Sequence, residues 1–132
     1  MQFGVQFFPN VRPEEKSGEQ YFQEALDLAE EADELDFSHI RIVEHYFHYY
    51  GGYSPNPIVF LAAAAQRTRR ARLVTGAVLP AFNHPLKLAG EIAMLDALSR
   101  GRREGDMDVI WSPLTRVRRS GVRSDFRRGG GR

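Results

Sequence analysis

His39-Ile-Arg-Ile-Val43, then Asn56-Pro-Ile-Val-Phe-Leu-Ala-Ala-Ala-Ala65, then Leu73-Val-Thr-Gly-Ala-Val-Leu79: this succession decides the fold. The first segment is short and rich in β-branched residues, which fits a strand. Asn56-Pro57 is a capping residue followed by a proline at the first helical position, and the helix runs to about Thr68. The third segment is almost continuously apolar, as strands covered on both faces tend to be, and Pro80 stops it. Two strands joined through a helix have the connection length that parallel pairing needs.

The same alternation extends in both directions. Met1 to Phe8 reads as a strand ended by Pro9-Asn10. Ser17 with Gln20 gives a Ser-x-x-Gln capping box, which predicts a helix start. Phe22, Ala25, Leu26, Ala29 and Ala32 then recur at helical spacing, with Glu24, Asp27, Glu30, Glu31 and Glu34 opposite. His84-Pro85 opens a third helix whose stripe is Leu88, Ile92, Leu95 and Leu98 with Ala89 and Ala93, ending at Ser99-Arg100-Gly101-Arg102. Strand and helix alternate three times, so the class is α/β with right-handed crossovers. Periodicity leaves two architectures open, a doubly wound sheet and part of a barrel.

The 132 residues suit one domain, with 42% apolar and 27% charged residues in the globular range. The absence of cysteine excludes disulfides, thiolate nucleophiles and cysteine-ligated metals. The opening Met1-Gln2-Phe3-Gly4 lacks a basic leader, and no apolar run reaches the ~18 residues of a membrane span. The expectation is a cytoplasmic protein. The net charge of +1 hides an asymmetry: residues 1–99 carry −5 and residues 100–132 carry +6, with ten arginines, no lysine and six of the twelve glycines. Such a segment buries too little apolar surface to offset its ordering entropy. Two parts are expected: 1–102, which holds the alternating pattern, and an irregular Arg/Gly-rich tail at 103–132.

Phosphate-cradling glycine motifs are missing, and neither Ser54 nor Ser99 has the surroundings of a hydrolase nucleophile. Glu44, His45 and His48 cluster after the second strand, but in a loop and with no third ligand in view, so no metal is assigned. In parallel α/β folds the carboxyl ends of strands are where ligands collect. Glu44, His45 and Phe47 fall there after strand two, and Pro80 and Asn83 after strand three. His45 is then either an acid–base group or a residue satisfying loop backbone among aromatics. Arg67, Arg69, Arg70 and Arg72 are either a phosphate patch or cations offsetting a helix dipole, and no aromatic platform accompanies them.

Five stretches in order resemble a known family: Glu44-His45-Tyr46-Phe47, Ser54-Pro55-Asn56-Pro57, Thr75-Gly76-Ala77-Val78-Leu79-Pro80, His84-Pro85, and Met94-Leu95-Asp96-x-Leu98-Ser99-x-Gly101-Arg102. Over residues 1–102 the chain is similar to the bacterial luciferase-like flavin monooxygenases. The resemblance implies the N-terminal portion of a (β/α)8 barrel, three to four βα units, incomplete in this chain. It implies reduced FMN delivered by a separate flavin reductase, molecular oxygen as co-substrate, and oxygenation of a small organic substrate. His45 takes the place of the active-site histidine, and Glu44, Thr75 and Gly76 become cofactor-contacting residues. Thr75-Gly76 matches a segment where members often have a non-prolyl cis peptide.

Departures from the family pattern accompany these matches. Tyr46 stands for a second histidine, and Asp36 stands where a helix-ending glycine is common. After Gly101-Arg102 the expected fourth strand is replaced by Arg103-Glu104-Gly105-Asp106, with Met107 to Trp111 as a possible short strand. A barrel lacking its later strands lacks the usual phosphate site, so flavin binding by this chain alone is weakened. Three explanations are weighed: a truncated or frameshifted copy with little activity alone, a non-catalytic partner subunit completing its sheet with another chain, and an arginine-rich nucleic-acid segment. Open strand edges favour a homo- or hetero-oligomer.

Overall fold

The computed structural model describes residues 1–46 and 53–100. Phe47, His48, Gly101-Arg102, the Met107–Trp111 stretch and the tail arginines lie outside the described residues. The elements are β1 (Gly4–Phe7), α1 (Gly18–Glu34), β2 (His39–Ile42), α2 (Pro57–Arg67), β3 (Arg72–Thr75), a single 3-10 turn (Pro80–Phe82) and α3 (Pro85–Leu98). No helix among the described residues is long and apolar enough to cross a membrane.

Local chemistry sets the helix ends. Ser17 is extended, and its hydroxyl accepts the Gln20 amide at 3.1 Å. The reciprocal half of the capping box is not made, because the Gln20 side chain donates to Glu24 Oε1 at 2.9 Å instead. At the far end Asp36 adopts φ 62°, the left-handed conformation usually left to glycine. Phe37 N then donates to Ala32 O at 2.9 Å and Asp36 N to Asp33 O at 3.3 Å, closing the helix with an aspartate in the glycine position. Asn56 Oδ1 accepts the Ile58 amide at 3.0 Å ahead of α2, with Pro57 at the first position. At its C-terminus the Thr68 amide and hydroxyl both donate to Ala64 O.

All three strands are parallel and stand in chain order, β1-β2-β3. The register aligns Gly4, His39 and Arg72, and two residues on aligns Gln6, Arg41 and Val74. The alternate rows, Val5–Ile40–Leu73 and Phe7–Ile42–Thr75, face the helices. Ile40, Ile42 and Leu61 are fully buried there, among Ala29, Phe60 and Ala64. Burying each such aliphatic side chain is worth about 1.5–3 kcal/mol. Gly4 and Gln6 on the opposite face are exposed, and His39, Arg41 and Arg72 half-buried.

That one-sidedness settles the architecture. A doubly wound sheet reverses strand order and carries helices on both faces, whereas here order is sequential and one face carries the helices. This is the wall of a barrel.

Two strands are shorter than the pattern predicts. β3 ends at Thr75 rather than Leu79, because after the Gly76 amide donates to Ile42 O the Leu79 amide is taken by a side chain. β1 covers Gly4–Phe7 rather than Met1–Phe8, as among the described residues only β2 flanks it. α3 packs on α2, burying Leu88 and Leu95 but leaving Leu98 45% exposed.

Candidate functional site at the carboxyl ends of strands two and three

Glu44 is buried although it is charged. One carboxylate oxygen accepts the Tyr46 hydroxyl and the other accepts the Leu79 amide at 2.8 Å. This single side chain therefore ties the segment after β2 to the segment after β3. A carboxylate held by two donors satisfies most of what burial costs it.

His45 comes next. Its amide donates to Ser54 O at 2.9 Å, and Ser54 Oγ donates back to Val43 O at 2.5 Å. The chain returning toward α2 is thus laced to the end of β2. The half-buried imidazole packs on Phe8, with centroids 5.2 Å apart and planes at 58°.

Thr75 and Gly76 lie at the same end of the sheet, but they offer backbone. The Thr75 side chain shares the helix-facing row with Ile42, and its hydroxyl is buried there without a hydrogen-bond partner among the described residues. A Cβ on residue 76 would stand 2.7 Å from Ile42 O and 3.2 Å from Arg41 Nε. Glycine is needed there for packing against β2. The described residues contain no cis peptide bond, so the Thr75-Gly76 bond is trans, contrary to the expectation.

Two further residues carry little sign of their role in the sequence. Arg41 interrupts the short apolar strand β2 on the face away from the helices. Its guanidinium donates to Gly76 O at 3.2 Å, while Nε is buried with no partner among the described residues. Asp33 lies four residues after Ala29 and eight after Ala25, on the apolar side of α1, and that spacing was its only signal. Its carboxylate accepts the amides of Arg69, Arg70 and Ala71 at 2.8, 2.8 and 2.5 Å.

The arginine cluster is structural. Arg67 bridges Asp27 and Glu30 of α1 at 2.6 and 2.7 Å, and Arg70 pairs with Asp36 at 2.8 Å. The hydrogen bonds Arg67 donates, to Asp27 first and then to Glu30, raise its pKa further. Arg72 donates to Gln2. These cations knit the turn after α2 to α1 and to the start of the chain. Among the described residues no group of three His, Cys, Asp or Glu side chains could hold a metal.

Alkaline titration provides a check on the Glu44 tie. The carboxylate beside it is the main cause that pushes the Tyr46 phenol up to about 12, and burial pushes Tyr21 up to about 12. Stability drawn from the neutral phenols is complete below the ordinary tyrosine value of about 10 and is lost as pH rises through about 12. Near-ultraviolet absorbance is expected to show Tyr21 and Tyr46 ionising late, and Tyr46→Phe to remove one of these late steps. A profile unchanged by Tyr46→Phe would mean that the Tyr46–Glu44 bond does not form.

Comparison with known proteins gives the following. Residues 1–105 match the model of the luciferase-like monooxygenases. The crystal structure of monooxygenase RslO1 from Streptomyces bottropensis superposes with a TM-score of 0.75 at 69% identity, covering 77% of this chain and 31% of that one. The oxygenating constituent of 3,6-diketocamphane monooxygenase from Pseudomonas putida, solved in complex with FMN, gives 0.70 at 32% identity, covering 77% and 28%. The oxygenase component of the flavin-dependent trigonelline monooxygenase of Acinetobacter baylyi is 37% identical over 89 residues, 67% of this chain and 24% of that protein. The matched part spans roughly a quarter to a third of these proteins' length.

Proposed function

The chain belongs to the luciferase-like monooxygenase family, and from that premise we propose that it forms the cofactor-side wall of an oxygenase using reduced FMN and molecular oxygen on a small organic substrate. The observation that carries this reading is the convergence of Glu44, His45 and the Thr75-Gly76 backbone at one end of β2 and β3. The P. putida relative holds FMN, and the A. baylyi relative is an oxygenase component. By analogy, a separate flavin reductase would supply this chain with reduced FMN.

The residues present fit a flat, electron-rich ring. The end of β3 offers such a ring backbone groups, since the side-chain position of Gly76 faces Ile42 and Arg41 of β2. When bound, reduced flavin would supply the electrons for transfer of one oxygen atom to the substrate, the other leaving as water. His45 would hold or deliver a proton at an imidazole nitrogen, with its backbone fixed by Ser54 and its ring limited by Phe8. Glu44 would set the relative position of the two strand-end loops through Tyr46 and Leu79. Its buried carboxylate already has donors on both oxygens, which suits a positioning role better than proton transfer.

We read residues 1–102 as the barrel portion and 103–132 as a basic segment outside it. A reading-frame change near codon 102 would explain why motif, apolar pattern and charge balance are lost together. Sequencing gene and message across codons 98–132 tests that directly.

The catalytic reading is tested with the full chain, a flavin reductase, NADH and FMN. Oxygen uptake is expected to exceed that of the reductase alone. His45→Ala is expected to lower the excess about 100-fold, the scale of one acid–base group. Wild-type uptake no greater than the reductase's own would favour the second reading, a non-catalytic subunit. The supporting observation is that, among the described residues, β1 and β3 each pair on one side only. That subunit would form a heteromer of fixed stoichiometry with the chain that completes its sheet.

A further inference from the structure

α3 is apolar on two faces, and the described residues cover one of them. Leu88 and Leu95 are buried on the side that packs on α2, whereas Leu86, Ala89, Gly90, Ala93, Met94 and Ala97 are exposed on the other. Their spacing is that of one continuous helical face. Leu86 is 79% exposed and Met94 67%. A helix with an outward face normally fills it with charged and polar residues, but here Lys87 and Asp96 stand only at its edges.

Gly90 is a second, separate sign. It lies in the helix interior, where glycine is a poor helix former, and a Cβ on it would meet nothing within 4 Å. Packing among the described residues therefore gives no reason for a glycine. Gly90 is midway between Leu86 and Met94 in one row of the helix surface, so its missing side chain leaves a notch between two large apolar ones.

The course of the chain supplies an occupant. Arg100 adopts φ 63°, and its amide donates to Ala97 O at 3.1 Å, a left-handed ending that turns the chain away from the helix axis. The sequence beyond it holds one apolar run, Met107-Asp108-Val109-Ile110-Trp111, followed by Pro113-Leu114, and Trp111 is the single tryptophan of the chain. The helix from Gly90 to Arg100 spans about 15 Å. The extended chain from Arg100 to Trp111 reaches up to about 36 Å, enough for a reversal and a return along α3.

We propose that residues 107–114 fold back over the outer face of α3, and that the Trp111 indole fills the notch at Gly90 between Leu86 and Met94. The face is taken by this chain's own tail and not by a second molecule, because a short tether holds the run at an effective concentration on the order of mM. Tryptophan suits the notch: its flat ring lies across a residue without a side chain, and its N–H stays at the wet edge. Docked in this way, the tail closes the face to other chains.

Trp111 fluorescence of the full chain, without any cofactor, is the test. Emission in buffer is expected well to the blue of that in urea, and acrylamide quenching is expected to fall to a small fraction, since docking removes most of the ring's roughly 200 Å² from water. Dilution is expected to change neither. Gly90→Gln places a flexible polar side chain in the notch on a better helix former, and is expected to return both readings to their values in urea. Val59→Gln, at a residue 67% exposed on α2, is expected to leave both as in wild type. Circular dichroism shows that each variant folds.

An emission in buffer equal to that in urea overturns the proposal. Protection that survives Gly90→Gln, or that Val59→Gln also abolishes, places the indole elsewhere and overturns it too. Protection that fades on dilution overturns it in favour of a second copy on the same face.

Discussion

Asp33→Ala is expected to cost about 4 kcal/mol, a loss that leaves a domain of this size largely unfolded near physiological temperature. Three consecutive amides, Arg69, Arg70 and Ala71, converge on one carboxylate between α1 and β3. Asp33 is 5% exposed and Ala71 1%, so water cannot replace the lost acceptor. Each unmet buried donor costs about 1–3 kcal/mol, and Arg69 at the rim costs least. Asp33→Asn separates geometry from charge. Oδ1 serves both Arg70 and Ala71, while Oδ2 serves only Arg69. The amide can therefore keep two bonds and lose one, for a cost of about 2 kcal/mol. Urea unfolding followed by circular dichroism orders the three proteins. An Asp33→Ala midpoint within error of wild type would show that the turn is held some other way.

Gly76→Ala is the second large effect, expected at about 3 kcal/mol. The added carbon meets Ile42 O at 2.7 Å and Ile42 C at 3.0 Å, and these main-chain atoms cannot rotate away. Relief requires β3 to draw back from β2, which stretches the 2.6 Å bond from the Gly76 amide to Ile42 O. It also displaces Arg41, whose Nε lies 3.2 Å from the same point. Thermal unfolding without any flavin measures this cost. A variant as stable as wild type that has lost flavin binding would show that the glycine serves the ligand and not the sheet.

What the sequence revealed depended on how far each signal reaches along the chain. Helix starts were legible because Ser17 with Gln20, and Asn56 with Pro57, act within one turn. The class was legible because strand and helix periods differ. Strand lengths were not, since β3 ends where Glu44, 35 residues earlier, takes the Leu79 amide. The choice between a wound sheet and a barrel wall was hidden for a similar reason: a period of two does not say on which face the helices gather. Family resemblance pointed to Glu44 and His45, which follow β2 at the same end of the sheet as Thr75-Gly76. Resemblance could not reveal Arg41 or Asp33, because their meaning lies in partners 35 to 38 residues away.

The sequential parallel wall has an arithmetical consequence. Because every strand runs the same way, the free edge of β3 in one copy is a template for β1 of the next. Copies of the described wall thus add strands in threes, whereas the barrels of this class close at eight. Two copies give too few strands and three give too many. A ring of identical copies must then either adopt another tilt and stagger or stay open and grow as a ribbon. Eight is not a multiple of three, so divisibility alone excludes self-assembly of the described wall as a route to that barrel.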